Sequence, residues 1–256
     1  MDVLLSLLTP AQFAFVASGI LFASLMRAFS GFGFALTAVP VFSLFLAPGD
    51  AVVLAASLTL TVSLMTYKAW WGKFKMAAYL PMVAGSVLGS GLGVTVLSRF
   101  TTAEFQLWIG LTVIAACWLL SQYRPGAARG GPWLAGGAGV ASGAMNGAFA
   151  IPGPPAIIYA MACITQPAES RAFLMAFFMA SNAISLPMFA MAGLVTVTPV
   201  YLLVVGLPVM VLGDRLGAWL FHRYGGTAYR PIALGVSLAI GLSITLRALW
   251  TMTVTA

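Results

Sequence analysis

The chain has 256 residues, 61% of them hydrophobic and only 7% charged, with a mean hydropathy of +1.03. A soluble protein of this size could not hide that much apolar surface, and no polar stretch is long enough for a second domain, so the chain reads as an all-α polytopic membrane protein. The net charge of +7 does not point to nucleic acid, because the twelve Lys and Arg are scattered at the ends of apolar runs rather than gathered on one face or arm.

Apolar segments are predicted at about 11–26, 31–47, 51–67, 76–97, 105–121, 133–148, 154–165, 170–192, 199–221 and 231–250. Spanning a bilayer takes about 20 residues. The run at 154–165 is too short to cross alone and 31–47 is marginal, so eight to ten membrane segments are expected. No basic residue precedes Arg27 and no clear cleavage site precedes it either, so the first run is expected to stay as a helix rather than be removed as a signal peptide. Cys117 and Cys163 lie far apart in apolar segments and read as packing residues, not as a disulfide or a metal pair.

Lys68, Lys73 and Lys75 make the densest basic loop. Arg124 with Arg129, then Arg171, then Arg223 with Arg230 fall on the same side, while Asp50, Arg99, Glu104 and the neutral loop 193–198 fall opposite. The positive-inside rule then puts the basic loops in the cytoplasm and both termini outside.

Residues 87–93 read V-L-G-S-G-L-G and residues 211–217 read V-L-G-D-R-L-G, an offset of 124 that also pairs Arg99 with Arg223. A softer match joins G-F-G-F-A-L-T-A-V-P at 31–40 to G-A-F-A-I-P-G-P-P at 147–155. These matches predict two related halves, 1–124 and 125–256, forming one integral membrane domain. Arg99 and Arg223 would lie on opposite sides, so the halves are expected to be inverted. Each would hold a broken or re-entrant helix pair followed by three transmembrane helices.

The stretch 142–155, S-G-A-M-N-G-A-F-A-I-P-G-P-P, is built against a straight helix. Pro152, Pro154 and Pro155 remove backbone donors, and Ile151 and Gly153 are expected to be extended or turn-like because each precedes a proline. In lipid, bare backbone polar groups are costly, so such a break belongs inside protein or beside a wet cavity. The two broken tips are expected to meet near the midplane.

Chemistry-bearing side chains are few. The acidic residues are Asp2, Asp50, Glu104, Glu169 and Asp214, and the one histidine, His222, stands at a segment end. No H-E-x-x-H, Ser/His/Asp set or metal-ligand cluster is present, so neither an enzyme nor a metal or cofactor site is expected. Asp214 and Arg215 fall inside a span, where charge is expensive; they are charge or coupling candidates, or else a paired lock near the cytoplasmic end. Arg27 reads as a flank if its hairpin crosses fully and as a counter-charge for an anion if the hairpin is re-entrant. Asn146 at the break, Ser181, Asn182 and Ser185, and the Ser57, Thr59, Thr61 and Ser63 run put amides and hydroxyls at depth, suited to oxyanions or to interhelical hydrogen bonds. Glycines 85, 89 and 93, with 213 and 217, read as helix-packing positions.

The G-F-G-F-x-x-x-x-x-P at 31–40 and the G-x-x-x-G-x-F-x-x-x-G-P-P at 143–155, followed by Tyr159, resemble the TauE/SafE family of sulfite and organosulfonate exporters. The resemblance covers nearly the whole chain. It implies export of a small sulfur-containing or carboxylate anion across the bacterial cytoplasmic (inner) membrane, with no cofactor. The substrate lining it implies is Gly31, Phe32, Gly33 and Pro40 in the first half, and Asn146, Gly147, Gly153, Pro154 and Pro155 in the second. Asn182 and nearby hydroxyls would add donors. The expected partners are a small anion and the lipid bilayer, not nucleic acid, with a homo-oligomer allowed. The expected function is a secondary transporter working by alternating access. An anion channel and a non-transporting subunit of a membrane complex are the rivals.

Overall fold

A computed structural model describes residues 9–30, 33–74, 79–122, 130–224 and 229–255. These residues form ten α-helices with no strand among them: α1 (Pro10–Ser30), α2 (Phe34–Phe42), α3 (Pro48–Met65), α4 (Leu80–Leu97), α5 (Thr102–Gln122), α6 (Pro132–Phe149), α7 (Gly153–Cys163), α8 (Pro167–Met191), α9 (Val197–Tyr224) and α10 (Tyr229–Thr255). Seven of them, α1, α3, α4, α5, α8, α9 and α10, are long and apolar enough to cross a membrane.

Local chemistry explains where the helices begin. Pro48, Pro81, Pro132 and Pro167 sit in the first turns of α3, α4, α6 and α8, where a missing N–H has no intrahelical acceptor to lose. At α5 a capping box closes the start: the Thr101 N–H donates to Glu104 Oε2 at 2.8 Å, and the Glu104 N–H donates to Thr101 Oγ1 at 3.3 Å. The α8 end is turned by Gly193 at φ +69°, a left-handed conformation that suits glycine.

Glycines decide how the helices cross. On α4, a methyl group added at Gly85, Gly89 or Gly93 would run into the carbonyls of Gly136, Val140 or Ala144 on α6. In return, Gly139, Gly143 and Gly147 of α6 lie against the Met82, Ser86 and Ser90 carbonyls. The two backbones therefore interdigitate in parallel. On α9, Gly213 and Gly217 receive Leu21 and Leu25 of α1 in the same parallel sense. Close backbone approach of this kind is how apolar helices associate where no hydrophobic force separates protein from lipid. The α5–α10 pair is antiparallel, since Gly110 meets Thr245 and Gly241 meets Val113. In the α3–α8 pair the opposite ends also adjoin. Thr196 Oγ1, just past α8, donates to Asp50 at the start of α3 at 2.6 Å, while Trp70, just past α3, is buried against Ala172, Met175 and Ala176 near the start of α8.

Two helices are too short to cross. The nine residues of α2 extend about 13 Å and the eleven of α7 about 16 Å at 1.5 Å per residue. Each folds back beside its predecessor. Phe15 of α1 stacks on Phe45, just past α2, at 5.1 Å, and Gly130 ahead of α6 lies against Cys163 at the end of α7. The first hairpin thus opens on the end of the bundle that carries Asp50 and Glu104. The second opens on the end that carries Lys68, Lys73 and Arg171.

The chain departs from expectation at Gly153. That residue opens α7 instead of standing extended, and Pro152 ahead of it is near-helical at φ −75°, ψ −6°. Pro154 and Pro155 fall in the first turn, where proline is tolerated, so the break lies at 150–152 and the backbone turns at Ala150, φ +53°. Both cysteines are free thiols.

Candidate functional site

The two breaks share one pocket. Gly33, Phe34, Ala35 and Leu36 of the first tip face it, as do Ile151, Pro152, Gly153 and Pro154 of the second. Thr59 and Ser63 come from the second half of α3, and Arg27 comes from the last turn of α1. Leu120, Ile157, Met175 and Phe178 supply apolar walls. The pocket lies toward the basic end of the bundle rather than at its centre. Its volume is about 40 Å³. A water needs roughly 10–15 Å³ of such space, so the pocket suits a few waters or one small polyatomic species.

Its donors differ between the tips. Gly33 holds φ +102°, where only glycine is comfortable, and turns the start of α2 toward the pocket. The first-turn N–H groups of a helix have no intrahelical acceptor and carry the positive end of the dipole. At α2 these belong to Phe34, Ala35 and Leu36. At α7 two of the equivalent positions are Pro154 and Pro155, so Gly153 alone of the first three residues offers an N–H.

Arg27 is buried at 7% exposure. Its Nη1 donates to Asp214 Oδ1 at 2.8 Å and its Nη2 donates to Thr66 Oγ1 at 3.2 Å. The guanidinium stands between two spaces. One is the pocket of the tips; the other is a vestibule of about 450 Å³ that Lys73, Arg171 and Asp214 also line. The vestibule therefore carries three cations against one carboxylate. At the opposite end of the bundle Phe149 packs on Phe100 and Phe105, at 6.2 and 5.8 Å between rings, within a continuous apolar core. Just ahead of α4, where Tyr79 packs on Phe74, Tyr159 and Phe173, burial raises its phenol to about 12, with Glu169 adding to the effect, so it stays protonated.

The other candidate residues are dispersed. Pro40 is buried within α2, away from the pocket. Gly147 is a packing contact, pressed on the Ser90 carbonyl. Pro155 and Tyr159 face a separate apolar groove with Leu119 and Leu134. Asn146 and Asn182 are fully buried but do not line the pocket. Arg215 points outward and is exposed, so Asp214 finds its partner on α1 rather than next to it in sequence. Gly31 and Phe32 lie outside the described residues. Met175, Phe178, Lys73 and Arg171 were not singled out from the sequence as site residues. The first two look like any apolar helix residue and the others like ordinary flanking charges.

Seven spanning helices, two part-length hairpins and a basic vestibule leading to a pocket define a multi-pass membrane protein built to admit a small polar solute. The sequence matches the family described as Sulfite exporter TauE/SafE over residues 16–244, and the chain belongs to that family of membrane transport proteins. No curated protein and no solved structure matches it.

Proposed function

We propose that the protein is a secondary transporter that exports a small anion, such as sulfite, an organosulfonate or a related organic acid, across the bacterial cytoplasmic membrane by alternating access. One observation carries this reading: both helix breaks and Arg27 face one small pocket. The anion would enter through the basic vestibule and sit against the α2 N–H groups, with the Arg27 guanidinium as counter-charge and Thr59 and Ser63 alongside. Family membership supports the cargo class.

The two halves, 1–124 and 125–256, would be inverted copies. The pattern of helix partners supports this, because α4 on α6 and α9 on α1 are the same pairing with the halves exchanged. The antiparallel α5–α10 and α3–α8 pairs fit the same exchange. The basic end would face the cytoplasm and both termini the outside. The anion would then meet the vestibule from inside the cell, while the packed rings at the far end close the exit. That closure favours a carrier over a channel, which needs a continuous path.

Export does not require a coupling ion. An interior-negative potential drives a monoanion outward by about 2.3 kcal/mol per 100 mV, roughly a fifty-fold gradient. The test is flux of sulfite and a panel of organic acids in proteoliposomes under an imposed voltage. Saturable, voltage-driven flux that is lost in Arg27→Gln is the expected result. No flux of any of them would overturn the reading, and single-channel currents would convert it to a channel.

A further inference from the structure

Hydroxyls in this protein usually bond back to their own helix. Ser24, Thr59, Thr61, Ser86 and Thr245 each donate to a carbonyl three or four residues earlier. Ser90 on α4 and Ser181 on α8 are fully buried, yet their hydroxyls have no partner among the described residues. The side-chain oxygens of Asn146 and Asn182 are in the same condition. Neither amide can be turned to relieve this. The Asn146 amide nitrogen donates to the Ser181 carbonyl at 3.0 Å and to Ser185 Oγ at 2.9 Å, and that of Asn182 donates to the Phe178 carbonyl at 2.7 Å. A carbonyl accepts only from a donor, so the nitrogen must face it and Oδ1 must face away. Leaving one such oxygen unpaired costs about 1–3 kcal/mol, and four on three adjoining helices call for a ligand.

The position of these oxygens indicates what they bind. Matching the starts of α2 and α7 gives an offset of 119, which pairs Arg27 with Asn146 and Thr66 with Ser185. The offset of 124 between α4 and α9 pairs Asp214 with Ser90. The arrangement in which Arg27 donates to Thr66 and Asp214 thus has a counterpart in which Asn146 donates to Ser185, with Ser90 on the neighbouring helix. The counterpart has lost both the guanidinium and the carboxylate. This equivalence rests on the two-halves reading proposed above; the unpaired oxygens do not.

We propose that a monovalent cation, Na⁺, binds among Ser90, Asn146, Ser181 and Asn182, at the place where the first half keeps its own positive charge in Arg27. Amide and hydroxyl oxygens are hard, neutral donors that suit a hard cation, and without a carboxylate they suit one charge better than two. Asn146 lies one turn before the break at 150–152, so the cation would tie the second tip to α4 and α8.

Equilibrium binding of ²²Na⁺ to the purified full chain in choline buffer tests this. We expect saturable binding of about one ion per chain. Ser90→Ala and Ser181→Ala remove no hydrogen bond given above, and each should weaken binding at least ten-fold, while Arg99→Gln, on the exposed surface, should not. Absence of saturable binding overturns the proposal and leaves the oxygens to water alone; in that case the two Ser→Ala variants should melt at or above the wild-type temperature. Saturable binding that neither variant weakens also overturns it. Anion flux is measured separately, so sodium binding without flux, or flux without sodium binding, tells the two proposals apart.

Discussion

Arg27 is held by two partners that lie 187 and 39 residues away in sequence, and it presents its guanidinium to the pocket and the vestibule together. A planar fork can serve Asp214, Thr66 and an incoming oxyanion at once, whereas an ammonium cannot keep that geometry. Arg27→Gln should therefore cut sulfite flux at least 100-fold, and Arg27→Lys should fall between it and wild type, with rates normalised to folded protein. Asp214 would share Arg27 with the anion. If Asp214 also carries a coupling proton, Asp214→Asn will lose the pH dependence of flux; normal transport by this variant at every pH would remove that role. At Gly33 the φ of +102° excludes a side chain on conformational grounds. Gly33→Ala should cost about 1–2 kcal/mol of local strain and lower flux by misplacing the α2 N–H groups, a loss visible as reduced transport with little change in the amount of folded protein.

At the scale of the helix, the glycines separate into two groups. Gly89 and Gly143 sit where a methyl group would overlap a carbonyl of the facing helix, while Gly91 and Gly137 have open space. Gly89→Val and Gly143→Val should push α4 and α6 apart and cost about 3 kcal/mol or more. Gly91→Ala and Gly137→Ala should be neutral or stabilise by up to about 1 kcal/mol through helix propensity. Thermal unfolding in detergent, read by size-exclusion chromatography, distinguishes the groups. Each of the ten helices among the described residues overlaps an apolar run in the sequence, because a chain in lipid must satisfy its backbone internally, although the run at 31–47 holds a helix of only nine residues, Phe34–Phe42. What happens at a proline was less legible. Pro152, Pro154 and Pro155 all read as breakers, yet two of them start a helix, since the missing N–H is harmless in a first turn.

At the scale of the whole molecule, cations outnumber acids at one end only among the described residues. Lys68, Lys73 and Arg171 are exposed at the end that holds the vestibule, with Glu169 and Asp214 among them, whereas at the other end Asp50 and Glu104 stand with Arg99 and Arg247. Cysteines introduced at Lys73 and at Arg99 in a background without Cys117 and Cys163 should react with a membrane-impermeant reagent from opposite sides of the membrane, Lys73 from the cytoplasm. Labelling of both from one side would refute the topology.

Composition and the spacing of apolar runs determined that this is a helical membrane protein, with eight to ten membrane segments, and that a proline-rich break falls within 142–155. Those properties depend on each segment's own transfer into lipid and on backbone donors within a few residues, which are local and additive. Tertiary structure decided the rest. Whether Arg27 is a flank or a pocket residue depended on α2 turning back; which residue Asp214 pairs with depended on α9 crossing α1. Ile157 faces the pocket while Ile158 and Tyr159, on the same short helix, face a separate groove, because residues along a helix point in different directions and only its neighbours decide which direction is the interior.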